Sequence, residues 1–470
     1  MKPKDIVFGL LADCGLSSQD FGGTLKFEGE DPIVTSRHRL GLASGSAIAA
    51  AAVGMSAIWQ QRTGQTQDVA VDLRRAVVPG LRSIYHIQQG GLHHDVPPRS
   101  SYPPVNFFTT RDGRQFFVLR ATAYVETLLK TLDLLGCTFA PESMAAAIAR
   151  WDALELEEAL AERRLVGVMA RTREEWLAHP QGAWLNSRPV IDVVKTGDSE
   201  PKPLENSERP LSDLRILDFT HVLAGPVVSR TLSEQGAEVL HITVPRHTDP
   251  VRVAIDTGLG KRSAFLDLDI PEQAATAKRL AGGADVFVQS WRTGALDRYG
   301  LGADELLAAN PGLIYVSVSC YGSEGPWKTR AGYEPCGQAA CGFSIDEGSE
   351  QAPQMAVTGT MNDYLVGYLA AAGVAAALLR RAREGGSYHV RVSLTRASMW
   401  LQELGRLPVE MWPQARLPMV PDPEHMMTLS SSLGLLTVPK PIAQYSKTPA
   451  YWASAPEPFG ASAPAWQDRG

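Results

Sequence analysis

The sequence predicts an α/β protein, with a doubly wound, Rossmann-like parallel sheet in a large domain and a smaller α+β domain beside it. Three observations lead there. From Leu211 onward, short apolar runs (LRILDFT, AEVLHITV, ADVFVQS, GLIYVSVS) alternate with helical patterns such as VVSRTLSEQG. That alternation implies βαβ units with right-handed crossovers and a buried parallel sheet. Residues 80–185 differ, with a Pro-rich connector over 96–105, an Asp112-Gly113 turn inside NFFTTRDGRQFFVLR, and amphipathic helices through Leu160. An Asp-Gly between two strand-like runs predicts a hairpin, so this stretch reads as the α+β domain.

The third observation is an internal repeat. Residues 359–400 hold an acid, Asp363, at the mouth of an Ala-rich helix, then a Gly-Gly turn and an alternating strand. Residues 42–76 follow the same plan. Val69, Val71, Leu73, Arg75 and Ala76 line up with Val390, Val392, Leu394, Arg396 and Ala397 at a constant separation of 321 residues (69 to 390). The shared pattern predicts a duplication. Asp363 falls on Leu42, so the first copy lacks the acid.

The predicted organisation follows in order. Residues 1–79 are a partial copy of the large domain, 80–185 the small domain, 186–210 a Pro-, Glu- and Ser-rich linker, 211–400 the sheet domain. Residues 401–470 form an extended tail packing on it, with a run from Lys440 that resembles the linker. At 470 residues the chain exceeds one ordinary core.

Composition removes several function classes. Hydrophobic residues make up 44% and charged residues 20%, and the net charge of −6 comes without a long basic run, which argues against nucleic acid as a partner. Five cysteines lie far apart with no CxxC pair, and Cys336 and Cys341 lack the second pair a zinc site needs, so free thiols in the cytoplasm and no metal are expected. The N-terminal apolar patch is broken by Asp13, which does not suit a signal peptide. The apolar run 43–58 is too short to cross a bilayer comfortably and reads as a buried helix, so no membrane is expected.

Asp363 has two readings. An acid at a helix start caps the unpaired N–H groups of the first turn. The helix dipole would also keep it ionised and available as a nucleophile. Elsewhere, GxGxxG is absent and the second strand ends in Ile242-Thr243-Val244 without an acid, so no nicotinamide is expected. Neither a Walker A motif nor a GxSxG elbow occurs. His93-His94-Asp95 reads as a solvated polar run. Arg292 and Arg298 follow a strand's carboxyl end, where guanidinium groups suit phosphate, with Lys261-Arg262 open to the same reading. Tyr333, Glu334 and Gln338 form a cluster too polar for simple core.

LSDLRILDFTHVLAGPVVSRTLSEQGAEVL, GKRSAFLDL, ADVFVQSWRTGALDRYGLGADEL, AGYEPCGQAACG, NDYLVGYLAAAGVAAALLRR and YHVRVSL together resemble, in order, the motifs of the class III CoA-transferase family. That family includes formyl-CoA and carnitine CoA-transferases and the alpha-methylacyl-CoA racemases. The resemblance implies CoA transfer between an acyl-CoA and a carboxylic acid, with Asp363 passing through a mixed anhydride and an aspartyl-CoA thioester. It makes Tyr333 and Glu334 part of the catalytic group and places CoA at His221, Ala224, Leu266, Ser290, Trp291, Arg292, Arg298 and Gln338. Racemases carry a histidine, one of their two proton-transfer bases, where Tyr333 stands, so its absence counts against an acyl-CoA racemase, which stays the alternative, with a silent CoA-binding subunit a third reading. Leu223 stands where some transferases have glutamine, and Thr243 where an acid is usual. The family's glycine loop is not recognisable, and the small domain here precedes the complete large domain. The family's dimers imply a homodimer, although parts fused in this order could complete a site within one chain.

Overall fold

A computed structural model of the chain describes residues 2–93, 107–119, 125–247, 249–411 and 420–468. Its largest sheet has seven strands. From one edge they are Lys261–Phe265, Glu238–Thr243, Arg215–Phe219, Val286–Gln289, Ile314–Ser319, Ser387–Ser393 and Asp192–Gly197. The first six are parallel and the last antiparallel. Numbered along the chain, the parallel strands run 3-2-1-4-5-6, the doubly wound order. Their inner positions are almost continuously apolar, as in Val286–Gln289, where all four residues are buried, because helices cover both faces.

Two segments differ from the sequence expectation. Residues 186–210 contain the antiparallel edge strand Asp192–Gly197 and so are part of the sheet. Residues 401–470 carry a hairpin, Met426–Ser431 with Gly434–Pro439, and Gln444–Tyr445, which pairs with Val69–Asp72. Both segments gain their order from distant partners. The Asp112-Gly113 hairpin pairs Phe107–Thr109 with Gln115–Val118, and a third strand, Gly167–Met169, joins it beneath helices Val125–Leu135, Pro141–Ile148 and Ala153–Glu162. The 96–105 connector lies outside the described residues.

The repeat is structural. Helices Leu40–Thr63 and Met361–Glu384 are each 24 residues long and begin and end 321 positions apart. Both stop at a glycine, Gly64 and Gly385, with positive φ. Each leads to a strand, Val69–Asp72 or Ser387–Ser393, whose last residue caps a following helix, Asp72 accepting from the Arg74 and Arg75 N–H groups and Ser393 from Arg396 N–H. Both helices are long and apolar enough to cross a membrane, the first extending beyond the 43–58 run, yet each is packed inside protein. They pack on each other, and a Cβ on Gly54 would lie 2.7 Å from Ala375 Cβ. Positions 54 and 375 are also repeat equivalents, so the helices cross as a local two-fold relation requires.

That crossing makes a testable demand. Gly54→Ala should destabilise the fold by about 1–3 kcal/mol through overpacking. Adding Ala375→Gly, which returns the methyl's space, should recover most of the loss. Denaturant unfolding of the three chains measures it, and a double variant no more stable than Gly54→Ala would refute the crossing.

Candidate active site

Asp363 sits in the first turn of Met361–Glu384 and is buried. It does not cap its helix: no side chain of the N-cap residue, Thr360, bonds the first turn, and Glu334 Oε1 accepts the Asn362 N–H at 3.1 Å instead. The first copy solves the same problem with Asp31, whose two oxygens accept the Gly41 and Leu42 N–H groups at 2.8 Å each. In both copies a carboxylate from outside the helix therefore takes up orphan donors, two in the first and the Asn362 N–H in the second, and residue 363 makes no such bond.

Glu334 opens the short helix Glu334–Ala340, held by a bond from Gln338 Nε2 at 2.5 Å. Gln338 Oε1 accepts Ala356 N–H at 2.7 Å, and Asn362 Nδ2 donates to Ser398 Oγ at 2.8 Å. Glu334 Oε2 and Asn362 Oδ1 are buried without a partner among the described residues. Burial pushes the Glu334 carboxyl up to about 7, against the pull of its two donors. Asp363 is held well above the usual carboxylate range by burial first and the Glu334 charge second. This corrects the expectation that the helix dipole keeps Asp363 ionised, because desolvation and a like charge outweigh the dipole. Both carboxyls are thereby held toward their neutral forms.

A second group gathers where the sheet order reverses, between the carboxyl ends of Arg215–Phe219 and Val286–Gln289. The His221 N–H donates to Ser290 Oγ at 3.2 Å, and the His221 ring lies 4.6 Å from Trp291. Val222 has φ 65, costly for a β-branched residue, and its N–H donates to Asp249 Oδ2 at 2.8 Å. Ala224 begins the helix Ala224–Ser233, and a Cβ on Gly225 would come within 2.8 Å of Ser290 Cβ, so helix and strand end meet closely. Arg292 is exposed beside this turn, its guanidinium near Arg164 and Tyr333. Tyr333, just before Glu334, feels Asp249 and Arg292 and thereby joins the two groups.

Other predicted residues lie apart or serve the fold. Leu266 is buried in the hydrophobic cluster with Phe219 and Leu240. Arg298 is exposed and pairs with Asp269 at 3.6 Å, in a cluster with Tyr299. Lys261 makes a buried pair with Asp218 at 2.9 Å and Arg262 bonds Glu238 at 2.7 Å, which accounts for both. Leu223 is buried at the N-cap of Ala224–Ser233, and Thr243 ends its strand. Burial pushes the Cys336 and Cys341 thiols up to about 12. Among the described residues no set of three His, Cys, Asp or Glu side chains could hold a metal. His93 is exposed, and His94 and Asp95 lie outside the described residues.

Sequence reasoning missed Asn362, Asp256 and the segment before His86. Ile84 N–H donates to Tyr364 Oη at 2.9 Å, Tyr364 Oη donates to Asp256 Oδ2 at 2.7 Å, and Arg230 reaches Asp256 Oδ1 at 2.7 Å. This buried network locks the N-terminal unit beside Asp363. Repeat spacing alone could have paired Asn362 with Gly41. The contacts of Asp256 carry no local signal.

The Glu334 carboxyl gives a stability prediction. Its folded-state value, about 7, exceeds the ordinary 4.5, so the folded chain binds more protons than the unfolded one between those values and stability falls as pH rises through that window. The loss, up to about 3 kcal/mol, should shrink in Glu334→Gln. Unfolding free energies at pH 4.5 and 7.5 measure it, and an equal slope in both chains would refute the assignment.

The chain is similar to known proteins. The acetyl-coenzyme A transferase nodX of Hypoxylon pulicicidum is 30% identical over 319 residues, covering 63% of this chain and 54% of that protein. The succinyl-CoA–D-citramalate CoA-transferase of Chloroflexus aurantiacus is 33% identical over 210 residues, covering 42% of this chain and 52% of its own. A crystal structure of Rv3272 from M. tuberculosis is 31% identical, with 42% of this chain and 57% of that one aligned and a TM-score of 0.39. The chain spans about half the length of the curated relatives it matches. The profile described as CoA-transferase family III matches residues 11–200 and 211–416, most of the sequence, and the chain belongs to that family.

Proposed function

We propose that the chain moves coenzyme A from an acyl-CoA thioester to a carboxylic acid, with Asp363 as the covalent nucleophile. The observation that carries this reading is the released acid. Asp363 is buried at a helix start where Glu334, not Asp363, accepts the Asn362 N–H. A carboxylate with no structural duty, in a place where charge is costly, suits covalent catalysis.

In this reading one Asp363 oxygen attacks the thioester carbonyl and CoA leaves as thiolate, giving a mixed anhydride. The thiolate then attacks the aspartyl carbonyl, forming an aspartyl-CoA thioester and releasing the donor acid. The acceptor carboxylate reverses both steps with its own acyl group. Glu334 sets the charge of Asp363, and Tyr333 stands between the acid and the CoA end. His221, Ala224, Ser290, Trp291 and Arg292 line the topological switch point, where doubly wound sheets hold ligands. There the close Gly225 approach brings a helix start to the crevice, and Arg292 offers a guanidinium for phosphate. Leu266, Arg298 and Gln338 are CoA contacts by family resemblance alone, since Leu266 is in the core, Arg298 pairs with Asp269 and Gln338 holds Glu334. A Tyr333 hydroxyl pushed up to about 12 by burial, and further by Asp249, is a poor proton-abstracting base, which favours transfer over racemisation. A cytoplasmic location and a homodimer accompany the proposal, and relatives named for acetyl-CoA, succinyl-CoA and glutarate make short acyl groups the first to try.

Incubation with acetyl-CoA, succinyl-CoA and longer acyl-CoAs in the presence of hydroxylamine should modify the peptide containing Asp363, as read by mass analysis. Asp363→Ala should lose CoA transfer entirely. An unmodified peptide together with undiminished transfer in that variant would reject the mechanism.

The labelling rate should also rise with pH, because burial and the Glu334 charge hold the Asp363 carboxyl neutral well above the usual carboxylate range. In Glu334→Gln, which removes the like charge, the rise should move to lower pH. A profile unmoved by the substitution would separate Glu334 from the reaction.

A further inference from the structure

The segment at residues 81–85 belongs to the N-terminal unit, yet it lies across the start of the Asp363 helix. Arg82 Nη1 donates to the carbonyls of Val357 and Thr358 at 3.2 and 2.9 Å. Thr360 Oγ1 donates to Leu81 O at 3.3 Å, and Ile84 N–H reaches Tyr364 Oη at 2.9 Å. Residues 81–85 are therefore tied to the chain on both sides of Asp363. Tyr85 fills the space between: its ring lies under the Arg82 guanidinium at 4.7 Å, and a Cβ on Gly359 would come within 2.8 Å of its hydroxyl oxygen. Gly359 has φ 86, a conformation glycine adopts freely, so the loop backbone can lie against the phenol.

The repeat sharpens the point. Moving 321 positions along, Gly359 corresponds to His38 and Tyr85 to Arg406. Those two residues form an isolated backbone bridge beside the start of Leu40–Thr63. Each unit thus sends the segment after its short helix across to the start of the other unit's long helix. At the first crossing the arriving side chain, Arg406, is neutralised by Asp346, and Leu42 stands where an acid would be. At the second the arriving side chain is Tyr85, and Asp363 is present. Among the described residues the Tyr85 hydroxyl has no hydrogen-bond partner. Burial raises its ionisation, and the Glu334 and Asp363 charges raise it further, which keeps it a donor and places it in the field of both acids.

We propose that Tyr85, delivered by the N-terminal unit, is a catalytic residue that donates a hydrogen bond to the oxyanion formed when Asp363 attacks the acyl carbonyl. This rests on the reading of Asp363 as nucleophile. As the Asp363 oxygen forms its C–O bond, the carbonyl π pair moves onto the acyl oxygen, where the Tyr85 O–H meets it. Collapse of that oxyanion breaks the C–S bond and CoA leaves with the sulfur pair. Tyr85 keeps its proton throughout, so no further reactant is needed. One chain then carries both the nucleophile and a donor from its other unit.

The test is single-turnover labelling of Asp363 with hydroxylamine, using whichever of acetyl-CoA, succinyl-CoA or a longer acyl-CoA labels the wild-type chain fastest. Tyr85→Phe, which keeps the ring and its packing, should label about 10²-fold more slowly. Its melting temperature and its affinity for free CoA should match the wild type, which separates lost transition-state stabilisation from a packing role. Labelling of Tyr85→Phe at the wild-type rate overturns the proposal while leaving Asp363 as nucleophile. A wild-type chain that no acyl-CoA labels overturns both.

Discussion

The architecture depends on the close approach of two helices at Gly54 and Ala375. Each helix is small-residue and apolar on all sides, and such a helix is stable only when surrounded. One side of each is taken by its own unit, as where the short helix Leu73–Val77 packs on the first and Ala224–Ser233 on the second. What remains of each is taken by the other helix. Neither unit can bury its long helix alone, so the two fold as one body, and the bodies are joined where the backbones come nearest. Larger side chains at 54 and 375 would separate the helices and withdraw residues 81–85 from the Asp363 turn.

From this constraint follows the division of labour at the two helix starts. An α-helix whose first turn is buried must find acceptors for its orphan N–H groups. Asp31 serves one helix and Glu334 the other, in both cases from a segment packed beside the helix start. Once an outside carboxylate does this, position 42 or 363 carries no structural requirement for an acid. Position 42 is a leucine. Position 363 keeps an acid at the cost of placing two carboxyls together away from water, and the raised proton affinity of both is the direct result.

The parts legible in the sequence were those whose signal is local. Buried parallel strands are continuous apolar runs, and strand ends such as Phe219 and Gln289 stand where the patterns put them. The repeat was legible because five side chains kept their type at one spacing. The edge strand Asp192–Gly197 was hidden because it is half-exposed and polar, and it becomes a strand only through its pairing with Ser387–Ser393. The joining of Gln444–Tyr445 to Val69–Asp72 was hidden for the same reason. Among site residues, Asp363, Glu334 and Gln338 come together in space, whereas the ionisation of Asp363 was misjudged. A dipole argument uses only the helix itself, whereas burial, with the Glu334 charge second, decides the matter.

The contrast between the two helix starts also bears on where a ligand belongs. Folded interiors pair nearly all their buried polar groups. Around the first start the charges are paired within the chain, His38 with Glu347 at 2.6 Å and Arg406 with Asp346, although His38 Nε2 and Gln402 Oε1 make no hydrogen bond among the described residues. Around the second, Glu334 Oε2 and Asn362 Oδ1 are buried without partners among the described residues. Unmet donors and acceptors are expensive in a low-dielectric interior unless something arrives to meet them. A reacting carbonyl brings what this place lacks, an oxygen that gains negative charge beside a donor and a carbon within reach of a carboxylate. The same scaffold, duplicated and packed on itself, therefore meets one of its two helix starts with ion pairs and sets two carboxyls, Asp363 and Glu334, at the other.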